Sequence, residues 1–193
     1  MSLNAKPVLH SQVLTRLVGI VFAALLMLPV SNQAFAVEIQ KVQSKLGVTA
    51  YLVEDYTVPI IAVAGAFKGG STQDAPEREG TVRLMIALMD EGAGPLDAKA
   101  FQAEAEETGV ELGFSAYLDE IGFSMRTLKS EQDNAFRLLR LALNEPRFDG
   151  EAISRMRDAI RSQLESAERN PSAVARKIRR ETLFKGHAYA RNV

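Results

Sequence analysis

The stretch GGSTQDAPEREGTVRLMIALMDE, Gly69 to Glu91, is the most informative part of this chain of 193 residues. A glycine pair and a polar loop lead into an apolar segment, and Thr81–Glu91 is predicted to form a helix that Gly92–Pro95 ends. A helix that is apolar nearly all round is typical of a protein core. We therefore expect a buried helix here, with apolar side chains at Met85, Ile86, Leu88 and Met89.

Strands and helices are predicted on both sides of this helix. The strands are Val48–Val53, Ile60–Phe67 and two within Val110–Leu128, which divide near Leu118–Glu120. Four later helices are predicted. The first is capped by Asp97 and runs to Thr108, before Gly109. The second starts at a capping-box-like pair, Ser130 and Asp133, and runs to Asn144, and the last two are Glu151–Arg169 and Pro171–Phe184. The order β-β-α-α-β-β-α-α-α predicts an α+β fold, with helices packed on an antiparallel-leaning sheet.

The amino terminus has the pattern of a secretory signal peptide. Met1–Ala36 contains no acidic residue, and two basic residues precede the apolar run Leu17–Val30. A short polar stretch follows the run, and the segment ends in the small-x-small sequence Ala34–Ala36. This run is shorter than a membrane span needs, so we favour cleavage after Ala36 over an uncleaved anchor. We expect no stable membrane span in the mature chain, and a single domain over 37–193. Because the chain stops at Val193 without a closing strand, that domain is predicted to be incomplete at its C-terminus.

Composition narrows the possible functions. The chain is 47% hydrophobic and nearly neutral, with 23 basic and 24 acidic residues, which argues against a disordered tail and a nucleic-acid binder. It has no cysteine, which excludes disulfides, thiolate metal sites and a cysteine nucleophile. Cleavage would also remove His10 and leave only His187. A cysteine-free exported chain indicates a periplasmic or secreted protein, with a Gram-negative bacterium as the expected source.

Three local patterns have ordinary structural interpretations. The segment Lys68–Ser71 lacks the spacing of a phosphate-binding loop, so it is predicted to be a plain turn. His187 has no second histidine nearby in the mature sequence and is predicted to be structural. The arginines between Arg155 and Arg180 alternate with acidic residues, which indicates solvated helix faces with pairs three or four residues apart.

Two features together suggest a family. One is the Gly-Gly-Ser loop that leads into the helix after Gly80, and the other is the distant segment Phe148…Pro171…Leu183–Tyr189. With the order of strands and helices between them, Val37–Val193 resembles the first domain of the pitrilysin/insulinase peptidases. These enzymes are the inverzincins, and the mitochondrial processing peptidase subunits share their layout. The resemblance implies that the fold is the first domain of such a peptidase.

The resemblance also locates the family's zinc site. Its helix carries H-x-x-E-H, in which two imidazoles on one helix face bind zinc and the carboxylate activates water. Those positions correspond to Arg83, Ile86 and Ala87. The third ligand is a glutamate eight residues before a proline, which corresponds to Gln163; Glu165 is two residues out of register, or about 200° around the helix. The resemblance therefore implies no catalytic residue and no cofactor in this chain.

The resemblance implies a function without catalysis. It describes a non-catalytic subunit of a two-subunit zinc metallopeptidase, inactive alone, whose homologous partner supplies the zinc in a heterodimer. This chain would form part of the chamber that holds the peptide. Its substrate-binding candidates are Phe114, Ser115, Ala116 and Tyr117, on a strand edge to which an extended peptide adds, although an ordinary half-buried strand shows the same alternation.

Two other functions remain open from the sequence. The chain could be a stand-alone periplasmic protein that binds peptides without hydrolysis, or an active metallopeptidase whose ligands are unrecognised. Arg83 also has two interpretations. It either anchors an acidic group, for example at a subunit interface, or is a surface arginine whose aliphatic stem covers an apolar helix.

Overall fold

The structure is a computed structural model that describes residues 38–191. The predicted signal peptide, residues 1–36, lies outside the described residues. The chain divides into two compact units between Asp55 and Tyr56. No helix within residues 38–191 is long and apolar enough to cross a membrane.

The first unit contains a β-hairpin. Strand β1 (Ile39–Gln43) pairs antiparallel with β2 (Thr49–Val53), and Ile39 lies opposite Val53. The turn is closed by the Ser44 N–H, which donates to the Val48 carbonyl at 2.8 Å. The sequence predicted β2 and missed β1, because the apolar residues Ile39 and Val42 do not alternate strictly.

The second unit contains the remaining elements. In chain order they are β3 (Ile60–Lys68), α1 (Thr81–Ile86), β4 (Gly92–Ala93), β5 (Leu96–Asp97), α2 (Ala98–Thr108), β6 (Glu111–Ala116), β7 (Glu120–Leu128), α3 (Gln132–Asn144), α4 (Gly150–Glu168) and α5 (Pro171–Leu183). Strands β3, β7 and β6 form an antiparallel sheet in that order, and β4 pairs with β5. The predicted α+β class and antiparallel sheet are confirmed.

Alternation along the strands sets one face of the sheet toward the core. Val63 lies opposite Met125, which in turn lies opposite Leu112, and all three belong to the core or pack against it. Gly65 lies opposite Phe123, and a Cβ at Gly65 would come within 2.5 Å of the Phe123 ring. A glycine is therefore needed where that ring crosses β3.

The core lies between this face and helices α2 and α3. Its largest fully buried side chains are Phe101 from α2, Met125 from β7 and Leu138 from α3. Helix α2 has the predicted boundaries: the Asp97 side chain accepts the Ala100 N–H at 2.8 Å, and Gly109 ends the helix in the left-handed region. These caps require only local geometry, which is why the sequence predicted them correctly.

Two helix predictions were wrong in detail. Helix α1 ends at Ile86 rather than Glu91, because the next residues tighten into turns in which the Leu88 N–H bonds to the Met85 carbonyl. No residue of α1 is fully buried, so only Leu88 and Met89, beyond its end, reach the core. The predicted helix boundary Gly92–Pro95 instead contains β4 and the turn to β5.

The predicted start of α3 was also wrong. Residues Lys129–Glu131 form a single 3₁₀ turn, and α3 begins at Gln132 without a side-chain cap. Glu131 instead accepts a hydrogen bond from the Asn134 side chain at 2.9 Å. The pair Ser130 and Asp133 is therefore not a capping box.

Candidate functional site

Helix α1 is held at its start by a buried carboxylate. Gly80 caps it at a φ of 91°, a left-handed conformation that favours glycine. The Asp74 side chain, only 6% exposed, accepts the N–H groups of Gly80 at 2.8 Å and Val82 at 3.0 Å. Because Asp74 lies six residues before Gly80, no local capping pattern in the sequence indicated this role.

The structure brings together the four positions that the resemblance assigned to the family's zinc site. The Arg83 Nη2 group on α1 donates a hydrogen bond to Gln163 Oε1 on α4 at 2.9 Å. Both residues line a cavity of about 380 Å³ with Ile86 and Ala87. Glu165 is exposed on α4 and does not line this cavity.

These side chains do not fit zinc. Zinc in proteins is bound by imidazole, thiolate or carboxylate groups, whereas a guanidinium has no acceptor lone pair and carries a positive charge. Ile86 and Ala87 offer no donor atom, and the Gln163 oxygen already accepts from Arg83. Within residues 38–191, no three His, Cys, Asp or Glu side chains are grouped so that they could hold a metal ion.

A second cavity lies along β6. It measures about 390 Å³ and is lined by all four candidate substrate-binding residues, Phe114 to Tyr117, together with Arg83. In the described part of the chain, β6 pairs with β7 alone, so its other edge has backbone groups without strand partners. Arg83 and Ile86 line both cavities, which places the zinc-position helix beside an open strand edge.

Arg180 is a residue of this cavity that the sequence did not single out. It is half-buried on α5, and its Nη1 group donates to the Arg191 carbonyl at 3.3 Å. The sequence assigned the Arg155–Arg180 stretch to solvated faces with intrahelical pairs. Among the ion pairs of residues 38–191 that stretch contributes only Arg155, which pairs with Glu91 across 64 residues. Intrahelical pairing was therefore a wrong expectation.

The end of the described chain connects α5 to the loop before α1. Arg191 donates from Nη1 to the Asp74 carbonyl at 2.6 Å, and its Nε lies 3.5 Å from a Glu79 carboxylate oxygen. Tyr189 donates its hydroxyl hydrogen to Asp119, which raises the pKa of the tyrosine. His187 accepts the Tyr189 N–H at Nδ1, 3.2 Å away, in keeping with the structural role predicted for it.

The glycine loop before α1 packs against the turn that follows β6. Ser71 donates from both its N–H and its hydroxyl to the Tyr117 carbonyl, at 2.9 Å and 3.2 Å. A Cβ at Gly70 would lie 2.1 Å from that same carbonyl oxygen. The segment Lys68–Ser71 connects the end of β3 to a short 3₁₀ helix at Ser71–Gln73, and Ser71 lines the cavity beside β6.

Asp90 is the carboxyl that lines the cavity of Ile86, Ala87 and Gln163. Burial raises its pKa, and the neighbouring Glu91 carboxylate adds to this, while hydrogen bonds from its own backbone and from Gln102 oppose the shift. A guanidinium in contact would lower the pKa instead. Asp90 is not part of any ion pair among the described residues.

A family model and a curated protein match the sequence of this chain. The model described as Insulinase (Peptidase family M16) matches residues 49–193. Among curated proteins, the chain is similar to the non-peptidase homolog YmxG of Helicobacter pylori. The two are 22% identical over 131 residues, which cover 68% of this chain and 30% of the relative.

Solved structures agree with these matches. The chain is similar to a peptidase M16 inactive domain from Pseudomonas fluorescens, with a TM-score of 0.75 and 25% identity over 80% of this chain and 38% of that one. It is also similar in fold to pitrilysin, with a TM-score of 0.69 and 18% identity over 82% of this chain and 17% of that one. The chain thus spans less than half of the length of the proteins it matches. The resemblance found in the sequence is confirmed.

Proposed function

Because this chain belongs to the insulinase family of peptidases, peptidase family M16, we propose that it is a non-catalytic subunit of a two-subunit zinc metallopeptidase. A homologous partner carries the zinc and the H-x-x-E-H helix, and this chain forms part of the chamber that holds the peptide. The heterodimer works in the periplasm or outside a Gram-negative cell, after removal of the signal peptide. The partner's zinc would supply the chemistry that activates water for hydrolysis, and this chain contributes shape and contacts.

The observation that carries the proposal is the hydrogen bond between Arg83 and Gln163. It joins the two positions that the resemblance assigns to the first and third zinc ligands, so the Gln163 oxygen accepts from a guanidinium there. A guanidinium at this place would repel a divalent cation. The similarity to an inactive M16 domain and to a non-peptidase homolog is in line with this interpretation.

The open edge of β6 supports a role in holding peptides. An extended peptide can add to such an edge through main-chain hydrogen bonds, and side-chain pockets beside it then give specificity. The cavity along Phe114–Tyr117 lies at this edge. This edge therefore allows the chain to bind a peptide although the metal ligands are lost.

Reconstitution tests the proposal. The full chain is mixed with an M16 relative from the same organism that has an intact H-x-x-E-H helix, and cleavage of an unstructured, fluorescence-quenched peptide is followed. We expect the mixture to cleave the peptide and neither protein to do so alone. A partner with its motif glutamate replaced by glutamine is the matched control and should give an inactive mixture. Full activity of the partner alone would contradict the proposal.

The same proteins distinguish the other two functions. If the full chain binds the peptide but no relative gains activity from it, the chain is a stand-alone peptide-binding protein. If it contains equimolar zinc and cleaves the peptide alone, with activity lost to a chelator, it is a metallopeptidase with other ligands. Either result would replace the two-subunit model.

A ligand-restoring variant tests the assignment of the zinc positions separately. The fourfold change Arg83→His, Ile86→Glu, Ala87→His and Gln163→Glu supplies the family's donor set at the positions that the structure brings together. We expect this variant to bind about one zinc per chain by metal analysis, while the unchanged protein binds none. The matched control places the last glutamate at Ser162 instead of Gln163, one residue away and about 100° around the same helix. Equal zinc binding by both variants would show that the register is wrong.

A further inference from the structure

The cavity beside β6 contains two arginines from different helices. Arg83 projects from α1 and Arg180 from α5, and both line the 390 Å³ space along Phe114–Tyr117. Both are half-buried, so water screens their charges less than it would at an open surface. Two positive charges that line one cavity repel each other, and an anion between them offsets that repulsion.

Within residues 38–191 neither arginine has an acidic partner. Arg83 donates to the neutral amide oxygen of Gln163, and Arg180 donates to a backbone carbonyl. The ion pairs of the described residues use other arginines, namely Arg126, Arg137, Arg147, Arg155 and Arg191. A guanidinium has five N–H donors, so each of the two retains donors that these contacts do not use.

Three carboxylates on neighbouring segments make other contacts, and Glu79, which lines a further cavity with Arg83, pairs with Arg191. Asp74 accepts the N–H groups at the start of α1, and Asp119 accepts the hydroxyls of Tyr189 and Thr72. Asp90 lines the neighbouring cavity, and its pKa is raised by burial, the opposite of the effect of a guanidinium in contact. The positive charge of the cavity therefore has no internal counter-charge among these groups.

We propose that this cavity is a carboxylate-binding site, in which the guanidinium groups of Arg83 and Arg180 hold an acidic group of a peptide that lies along β6. The planar fork of a guanidinium matches a carboxylate with two parallel hydrogen bonds. The edge of β6 supplies main-chain hydrogen bonds for the same peptide. The inference rests on the proposed peptide-holding role. Where active relatives bind a zinc cation, this chain binds an anion that the peptide supplies.

The carboxylate has two possible sources, the C-terminal group of a peptide or an Asp or Glu side chain. Four acetylated Ser- and Thr-rich peptides of about eight residues distinguish the two sources. They combine a free acid or an amide at the C-terminus with Glu or Gln at the central position. Binding to the full chain is measured by calorimetry. We expect one of the two acidic positions to tighten binding at least about tenfold relative to the neutral peptide.

Arginine variants test which residues are responsible. The preference is the ratio of the affinities for the acidic and the neutral peptide. Arg83→Gln and Arg180→Gln should each remove most of it. Arg83→Lys retains the charge but not the fork, so it should retain only part of the preference. Arg179→Gln, an exposed arginine one residue from Arg180, is the matched control and should change nothing. Circular dichroism checks that each variant is folded.

A small-molecule probe separates failure of this inference from failure of the proposed function. Acetate is titrated at constant ionic strength, and the Nε–H signals of Arg83 and Arg180, assigned with the variants, are followed by NMR. Acetate-dependent shifts without any peptide binding would leave the carboxylate site standing and refute the peptide-holding role. Binding of the neutral peptide with no preference for acid and no acetate shift would overturn the carboxylate site alone.

Discussion

The second unit has two sides that differ in how they are held together. The packed side is formed by α2, α3 and β7, where Phe101, Met125 and Leu138 are fully buried. The cavity side is formed by α1, α4 and α5, where α1 and α5 bury no residue and α4 buries only Ala152. Polar contacts such as Arg83–Gln163 connect the helices on this side.

This difference explains how a peptidase fold can persist without its zinc site. Apolar burial is the main source of stability, and it is concentrated on the packed side, away from the four zinc positions. Exchange of the zinc ligands for other side chains therefore leaves most of this apolar burial intact. Four predictions test whether the two sides are as different as the structure indicates.

The largest effect is expected from a cavity in the packed side. Leu138→Ala removes a side chain with 0% exposure, and we expect a loss of about 2–5 kcal/mol in the free energy of unfolding. Leu164→Ala on α4 is the matched control, because the same change at a side chain that is 39% exposed should cost less than about 1 kcal/mol. Urea unfolding measures both, and equal losses would show that the two sides do not differ.

The next prediction concerns the loop at the border of the cavity. Gly70→Ala would place a Cβ 2.1 Å from the Tyr117 carbonyl oxygen and 2.7 Å from that of Leu118, so backbone must move. We expect a loss of about 1–3 kcal/mol and a change in the cavity that this loop lines. Gly150→Ala, with nothing within 4 Å of the new Cβ, should instead stabilise the protein by about 0.4–1 kcal/mol. Thermal unfolding of both variants decides this, and a neutral Gly70→Ala would contradict it.

Helix caps give a smaller and more local comparison. Asp97 begins α2 on the packed side through one hydrogen bond at an exposed position, so Asp97→Ala should cost about 1 kcal/mol. Asp74 is buried and accepts two N–H groups at the start of α1, so Asp74→Ala should cost more, about 2 kcal/mol. Hydrogen exchange at Gly80 and Val82 should accelerate only in the Asp74 variant. Equal exchange in both variants would mean that Asp74 does not hold α1.

The same two caps show where sequence interpretation succeeds. Asp97 precedes its helix directly and Gly109 follows it, so the pattern is local and α2 was predicted residue by residue. Asp74 reaches α1 across a loop, and the Arg83–Gln163 contact joins residues 80 positions apart. Arg180 was missed for a similar reason. The stretch contains seven arginines, and the sequence does not show which of them lines a cavity in the folded chain. Arg83 was left with two interpretations because its neighbours were unknown.

The smallest effect is expected at Asp90, the carboxyl that faces the cavity side. Because burial raises its pKa, the folded protein favours the protonated form more than the unfolded chain does. The stability that this carboxyl contributes is therefore complete at low pH and is lost as the pH rises through the folded-state pKa. Asp90→Asn cannot ionise, so its stability relative to the unchanged protein should rise as the pH increases upward from about 4.

Urea unfolding across that range measures the difference between the two proteins at each pH, which cancels the contributions of all other groups. Asp158→Asn, at an exposed position on α4, is the matched control for the loss of a carboxylate. A difference for Asp90→Asn that falls with pH would mean that the ionised carboxylate is stabilised in the folded protein. The obvious stabiliser is Arg83, which lines the same cavity. That result would also give Arg83 an internal counter-charge, and it would weaken the case that the arginine binds an anion from outside the chain.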